Sequence, residues 1–156
     1  MSNLSQSAFC PLILWHNVYM EATLNISDYI GIAPRSEFDL AEIVEKGLPP
    51  ESLALLKLQG LTFTEVSEIV IAPRTLKHRR ARGENLSHEE TDRMVRVARI
   101  VALADEIFGD HSKALLWLRT EDDRIGGRRP LSMLQTEAGG RVIESLLWQI
   151  DEGVYS

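Results

Sequence analysis

Cysteine occurs once in this chain of 156 residues, at Cys10. That excludes an intramolecular disulfide, and with it a disulfide-stapled secreted domain, and fits a reducing compartment. Long apolar runs are missing too. Phe9-Cys-Pro-Leu-Ile-Leu-Trp15 is too short to span a bilayer and is interrupted by Pro11. No Lys or Arg precedes Arg35, so the cationic flank of a secretory signal is lacking. The expectation is a cytoplasmic protein with no membrane partner. Catalytic patterns are equally scarce. His16, His78, His88 and His111 show no His-Glu-x-x-His spacing, and one cysteine cannot build a cysteine-rich zinc site. Gly126-Gly127 lacks the Lys-Ser/Thr of a phosphate loop, and no Gly-x-Gly-x-x-Gly occurs. Glu121-Asp122-Asp123 reads as solvated acid rather than a metal cluster, and Trp15, Trp117 and Trp148 as core or interface anchors. The chain is expected to be no enzyme and to hold no metal or cofactor.

What the chain has is a local reversal of charge. Its formal net charge is −6, yet the stretch from Ile71 to Gly83 carries Arg74, Lys77, Arg79, Arg80 and Arg82 with no acid at all. Before it, residues 1–69 hold three basic and nine acidic side chains; after it, residues 87–156 hold nine basic and thirteen acidic. A chain that repels polyanions overall but keeps one short cationic segment is suited to meet a polyanion there, DNA being the foremost candidate. The other reading of the charge alone is a solvated cationic surface or a contact for an acidic protein. Hydrophobic content of 44% with 26% charged residues is that of a folded domain, and the length fits one domain or two small ones sharing a core.

Punctuation along the chain predicts helices. Residues 1–33 carry two apolar stretches, Leu12 to Tyr19 and Leu24 to Ile32, each open to reading as strand, short helix or arm. Ser36 is a candidate N-cap for a helix through Phe38, Leu40, Ile43 and Val44, ended by Gly47. Pro49-Pro50 starts another, with Leu53 and Leu56 on its apolar side and Gly60 at its end. Thr62-Phe-Thr-Glu65 and Ser87-His-Glu-Glu90 have the form of capping boxes. The first opens a short helix with Val66, Ile69 and Val70 inward. After the break at Ile71-Ala72, Pro73 begins the cationic helix, which Gly83 stops. Two short helices so spaced, the second cationic, form the layout of a helix-turn-helix. The second capping box opens a long helix whose stripe is Met94, Val97, Ala98, Val101, Ala104 and Phe108. Asp110 caps a helix holding Ala114, Leu115, Trp117 and Leu118. Glu121 to Pro130 reads as a flexible loop. Thr136 caps a last helix with Val142, Ile143, Leu146, Leu147 and Ile150 inward, stopped by Gly153. No strand signal follows residue 36, so the body is expected to be all-α.

In a helix-turn-helix the second helix presents its first turns to base edges. With Leu76 inward, Arg74, Lys77 and His78 face outward most clearly, Thr75, Arg79 and Arg82 lie at the margins, and Arg80 leans toward the body of the fold. Arg holds guanine O6 and N7 together, and Lys and Thr reach bases or phosphates. One such module makes few phosphate contacts, so useful affinity calls for a homodimer on two half-sites.

The stretch from Pro73 to Gly153 resembles the Xre/MbcA/ParS antitoxins, partners of RES-domain toxins. The resemblance is carried by Arg74-Thr-Leu76, Leu86-Ser-x-x-Glu-x-Asp-Arg93, Phe108-Gly109, Trp117-Leu118, Pro130-Leu-x-Met-Leu-x-Thr136, Gly139 and Ile150-x-x-Gly153-Val154, in this order over about half of the chain. Residues 1–45 contribute nothing to it. It implies an all-α antitoxin: a Cro/repressor-like helix-turn-helix part, then a C-terminal helical toxin-binding domain. It further implies a RES toxin that degrades NAD, an antitoxin that covers the approach to the NAD pocket, and a complex that represses its own operon at operator double-stranded DNA. On this reading residues 1–46 are an N-terminal segment and candidate dimerisation element, 47–86 the helix-turn-helix part and 87–156 the toxin-binding domain. The toxin-facing residues are expected to be Arg128, Arg129, Leu131, Met133, Leu134, Gln149, Val154 and Tyr155. Those seven at 128–134 and 154–155 include an apolar patch flanked by arginines and a tyrosine anchor, both common at interfaces. A second Gly, Gly140, departs from the family pattern; it loosens the helix start or admits a close approach by the partner. The alternative function is a helix-turn-helix regulator with no toxin.

Overall fold

The computed structural model describes residues 26–153, and among them the ordered elements are helices and helical turns, with one isolated antiparallel bridge between Asp122 and Arg128. In chain order these are α1 (Ser27–Ile30), α2 (Glu37–Lys46), α3 (Leu53–Leu58), α4 (Phe63–Ile69), α5 (Pro73–Arg82), α6 (His88–Phe108), α7 (His111–Arg119) and α8 (Glu137–Asp151). Three 3-10 turns, Pro50–Ser52, Asp123–Ile125 and Pro130–Gln135, complete the path. The all-α expectation is met. Cys10, Trp15, His16, the apolar run Phe9 to Trp15, Val154 and Tyr155 lie outside the described residues. Among the described residues no helix is long and apolar enough to cross a membrane.

The helix starts obey local chemistry. A helix leaves its first amides unpaired, and a side-chain oxygen just before it can accept from one. Ser36, Asp110 and Thr136 each do this, accepting from the amides of Asp39, Lys113 and Gly139. Thr62 with Glu65, and Ser87 with Glu90, form complete reciprocal capping boxes. Gly83 and Gly109 end their helices at φ 64° and 63°, where a side chain would be strained.

α6 is the axis of the core. Met94, Val97, Ala98, Val101 and Ala104, spaced three and four apart, are fully buried, and α1, α2, α7 and α8 pack against this helix. The turn Pro130–Gln135 is the second organising element. It touches α4, α6, α7 and α8, and it does so by burying Leu131 and Leu134. A leucine so buried contributes about 1.5–3 kcal/mol relative to an exposed one.

Several expectations are corrected here. Leu131 and Leu134, expected on a partner-facing patch, belong to the chain's own core. Val142, expected inward on α8, is exposed, and Ile143, Leu146 and Leu147 form the buried stripe instead. The segment from Glu121 to Pro130 is a loop closed on itself, with one 3-10 turn at Asp123–Ile125. Asp122 and Arg128 close it, the amide of Gly127 donates to the Asp122 carbonyl, Arg124 pairs with the Asp122 carboxylate, and Ile125 is buried beneath. Of the second apolar stretch, left open above, Ser27–Ile30 form the short helix α1, with Ile26 and Ile30 fully buried.

Gly139 and Gly140 both have reasons inside the chain. A Cβ on Gly139 would stand 2.0 Å from the Met133 carbonyl oxygen, and one on Gly140 would stand 2.8 Å from Cδ of Arg96. The close approaches to these glycines are therefore made by the turn and by α6. Gly139→Ala is expected to cost about 1–3 kcal/mol of stability, because a backbone carbonyl must move. Gly140→Ala is expected to cost less: a side chain gives way more easily, and Ala regains about 1 kcal/mol of helix propensity. Urea unfolding of the two variants beside the parent protein checks the order, and equal losses would refute it.

One polar cluster joins four elements. Tyr29 of α1 donates to Asp105 of α6 at 2.7 Å; Nδ1 of His111 lies 2.9 Å from the same carboxylate, and its Nε2 lies 2.8 Å from the carbonyl of Gln59. Both ring nitrogens face acceptors, so only the imidazolium can donate at both. Burial alone would lower the pKa of His111; the hydrogen bonds to Asp105 and the Gln59 carbonyl outweigh it and hold it above the ordinary value. Burial and the bond to Asp105 push the Tyr29 hydroxyl far up, so it stays a donor. A folded pKa above the unfolded one adds stability that is complete below about pH 6.5 and is lost as pH rises through the folded value. The stability gap between the parent protein and His111→Gln should thus be widest in mild acid and close in alkali. A gap that stays constant across that range would mean that the charge does not matter.

Candidate functional site

α4 and α5 build the first candidate surface. The turn between them buries Val70 and Ile71, and Leu76 fixes α5 against the body of the protein. Arg93 of α6 donates to the Val70 carbonyl at 3.3 Å, securing the corner. On α5, Arg74, Thr75, Lys77 and His78 are exposed and, with Ala81, line one shallow concave face. These four expected residues are brought together. The first turn of α5 contains no acid, and its N-cap, Ala72, offers no side-chain acceptor to the helix amides. A surface so arranged attracts anions through charge and through the positive end of the helix dipole.

Arg79 and Arg80 exchange the places expected for them. Arg80 is exposed, whereas Arg79 lies against α6 and is bound there. Its Nε is 2.7 Å from Glu90 Oε2 and its Nη2 is 3.2 Å from Glu90 Oε1. Arg79 and Arg80 stand three and four residues after the buried Leu76, so both flank the inward face. Glu90, held in its own capping box by the Ser87 amide, stands on the side of Arg79 and decides the matter. Arg79 therefore holds α5 to α6 rather than reaching outward. Arg82 is exposed, with Glu84 3.8 Å away.

The second candidate surface lies around the Pro130–Gln135 turn. Arg128 and Arg129 are exposed, Met133 is half-buried, and Leu131 and Leu134 face inward. Arg128, Met133, Gly139 and Val142, with Ser132 and Gln135, line a shallow concavity. Val142 is the residue that sequence reasoning missed, since its position beside Ile143 reads as core. Gln149 is half-buried, and its Oε1 is a buried acceptor without a hydrogen-bond partner. A third concavity, of about 330 Å³, runs between α6 and α8. Val95, Ile100 and Leu103 line it, with Arg96 and Arg99 of α6 on one side and Glu137, Arg141 and Glu144 of α8 on the other. Arg96 is committed there: it pairs with Asp92 and Glu137 and donates to the Leu134 carbonyl at 3.1 Å.

The two halves are bonded to each other. Arg119 of α7 holds Glu65 of α4 through Nε at 2.7 Å and donates to the Gly60 carbonyl at 2.7 Å. Burial alone would raise the pKa of Glu65; Arg119 and the Thr62 amide outweigh it and hold the carboxyl below its ordinary value.

An all-helical chain with a helix-turn-helix followed by a packed helical domain is the class of protein these features define. The family described as the antitoxin Xre-like helix-turn-helix domain matches residues 39–99, and that described as the antitoxin Xre/MbcA/ParS C-terminal toxin-binding domain matches residues 103–153. The chain is 32% identical over 149 residues to the antitoxin Xre of Pseudomonas putida, covering 95% of this chain and 94% of that one. It is 34% identical over 87 residues to the antitoxin Xre of Yersinia enterocolitica (55% and 59% of the two chains) and 30% identical over 132 residues to that of Photorhabdus laumondii (81% and 88%). The chain belongs to the Xre antitoxin family, with a helix-turn-helix domain and a C-terminal toxin-binding domain.

The structural part of Arg79 separates it from its neighbours. Arg79→Gln should lower stability by about 1–3 kcal/mol, because Glu90 is left buried without its partner. Arg80→Gln should stay within about 0.5 kcal/mol of the parent. Thermal unfolding of both variants reads the difference, and a stable Arg79→Gln would contradict this role.

Proposed function

We propose that this antitoxin neutralises a RES-domain, NAD-degrading toxin with its C-terminal surface and represses its own operon by binding operator double-stranded DNA with α5. It acts in the cytoplasm, as a homodimer, by binding rather than by turnover. The observation that carries the DNA part is the acid-free, exposed first half of α5, with Arg74, Thr75, Lys77 and His78 on one face of a buried-anchored helix. Arg82 stands exposed at the far end of the same helix. One α5 supplies few contacts, and two copies on adjacent half-sites supply the affinity that an acidic protein otherwise lacks.

The toxin surface consists of Arg128, Arg129, Met133 and Val142, with Gln149 further along α8. Leu131 and Leu134 support it from beneath. Arginine beside half-buried apolar side chains matches the composition of interface cores. Val154 and Tyr155 extend the expected contact beyond the described residues. A domain division at 46 and 86 assigns DNA to the segment before α6 and toxin to the remainder.

Separate surfaces predict separable losses. Arg74→Gln with Lys77→Gln should weaken binding to the upstream DNA by about 10–100-fold, as expected for two lost base or phosphate contacts. The same double variant should still rescue cells that express the RES toxin encoded beside it. Arg128→Glu with Met133→Asp should do the reverse, abolishing rescue and co-purification while the gel shift persists. If the α5 variant binds DNA undiminished, α5 is not the reading helix; if the second variant still rescues, the toxin meets another face.

A further inference from the structure

The last turn of α5 is built differently from its first. The helix ends in a Schellman motif: Gly83 adopts φ 64°, its amide donates to the Arg80 carbonyl at 3.3 Å, and the amide of Glu84 donates to the Arg79 carbonyl at 3.0 Å. Immediately beyond, Asn85 donates to the Gly47 carbonyl at 3.1 Å and the Leu86 amide to the Leu48 carbonyl at 2.8 Å. Glu84 is thereby fixed on both sides. Its carboxylate is turned back over the helix, with Oε2 3.5 Å from Nη1 of Arg79 and Oε1 3.8 Å from Nη1 of Arg82. It is the only acid between residues 70 and 86.

A carboxylate in this place breaks a local rule. The C-terminal end of a helix carries partial negative charge and favours cations, so an acid there is repelled by the dipole. Stability of the helix gives no reason for Glu84, and the surface ion pair with Arg82 is worth little in water. Its lasting effect is on charge. Arg74 and Lys77 stand in the first half without a carboxylate beside them, whereas Arg79 stands beside Glu84 and Glu90, and Arg82 beside Glu84.

We propose that Glu84 is an affinity-limiting residue: it engages Arg82 in the free protein, so that the C-terminal turn of α5 adds little to binding of the polyanionic DNA backbone. This rests on the reading of α5 as the DNA-binding helix. Binding to DNA of any sequence comes from phosphate contacts, and discrimination comes from base edges. Suppressing a phosphate contact at one end of α5 weakens sequence-independent binding and leaves the base-facing residues at the other end untouched. Glu84 thus lowers affinity for DNA of every sequence, so that binding depends more on the base-facing residues and on the number of copies engaged.

The test measures binding of a short random-sequence DNA duplex by fluorescence anisotropy over a range of KCl. It compares the full-length parent protein, Glu84→Gln, Arg82→Gln, the Glu84→Gln/Arg82→Gln double variant and the Arg74→Gln/Lys77→Gln variant. Glu84→Gln is expected to bind about fivefold tighter than the parent, with a salt slope steeper by about 0.9, the signature of one more phosphate contact. Arg82→Gln should differ little from the parent, and in the double variant the gain should vanish. If Glu84→Gln matches the parent while Arg74→Gln/Lys77→Gln loses binding, the brake is refuted and α5 remains the DNA helix. If neither the parent nor Glu84→Gln binds at low salt, both readings fall. Binding by Glu84→Gln alone would support the brake outright. Thermal unfolding confirms the fold of each protein, and Glu84→Ala, which also removes the charge, gives the same reading should the Gln variant fold poorly.

Discussion

Burial of Leu131 and Leu134 in a six-residue 3-10 turn holds the molecule together. That turn is wedged among α4, α6, α7 and α8, so it joins the helix-turn-helix to the C-terminal helices directly. Its geometry explains other features in sequence. Pro130 begins it, Thr136 ends it and caps α8, and the Met133 carbonyl comes so close to α8 that only glycine fits at position 139. Arg96 reaches over from α6 to bind the Leu134 carbonyl. Remove the two leucines from the core and the cap, the glycine contact and the arginine bond lose their common frame.

This packing bears on how two binding tasks coexist. The family matches divide at residues 99 and 103, which lie inside the single helix α6, from His88 to Phe108. No flexible linker separates the parts. Arg119 with Glu65, and His111 with Asp105 and the Gln59 carbonyl, add polar bonds between them. A toxin seated near Arg128 and Val142 would therefore be held at a fixed position relative to α5. Whether DNA and toxin can be bound together then follows from the shapes of the bodies brought near, since no segment between them can swing aside. Both halves also depend on one continuous core, so damage to either is expected to be felt by the other.

The sequence makes helix boundaries legible because capping is local chemistry. Ser36, Thr62, Ser87, Asp110 and Thr136 all act within three residues of themselves, and each is read correctly. The stripe on α6 is equally plain, since a long helix repeats its pattern several times. The facing of single side chains is less legible. Leu76 orients α5, but the choice between Arg79 and Arg80 as the inward neighbour depends on Glu90, eleven residues further on and already engaged as a cap. Leu131 and Leu134 look like an exposed patch because the short turn that buries them has no periodicity of its own. Val142 looks buried for the opposite reason: it adjoins Ile143 in an apolar run, and only the position of the turn shows which of the two faces inward. The resemblance to the family locates these residues as a motif, but it does not separate those that build the surface from those that support it.

The charge pattern links the two surfaces to one problem. An acidic protein is kept away from nucleic acid in general, and the sequence concentrates its exceptions. Several arginines elsewhere are occupied: Arg96 by Asp92 and Glu137, Arg119 by Glu65, Arg124 by Asp122. Arg79, though part of the cationic run, is occupied by Glu90. In the first half of α5 no carboxylate competes, and the helix dipole adds to the side chains. A short site of that kind depends strongly on salt and on the number of copies that engage, because each contributes only a few phosphate contacts. Within a homodimer the affinity for paired half-sites would rise steeply over that for random duplex, since random sequence offers no reward for the base-facing side chains. The acidic remainder of the protein is thus more than a passive background: if α5 is the DNA-binding helix proposed above, that remainder depresses every unspecific contact and leaves four exposed residues to set where the protein binds.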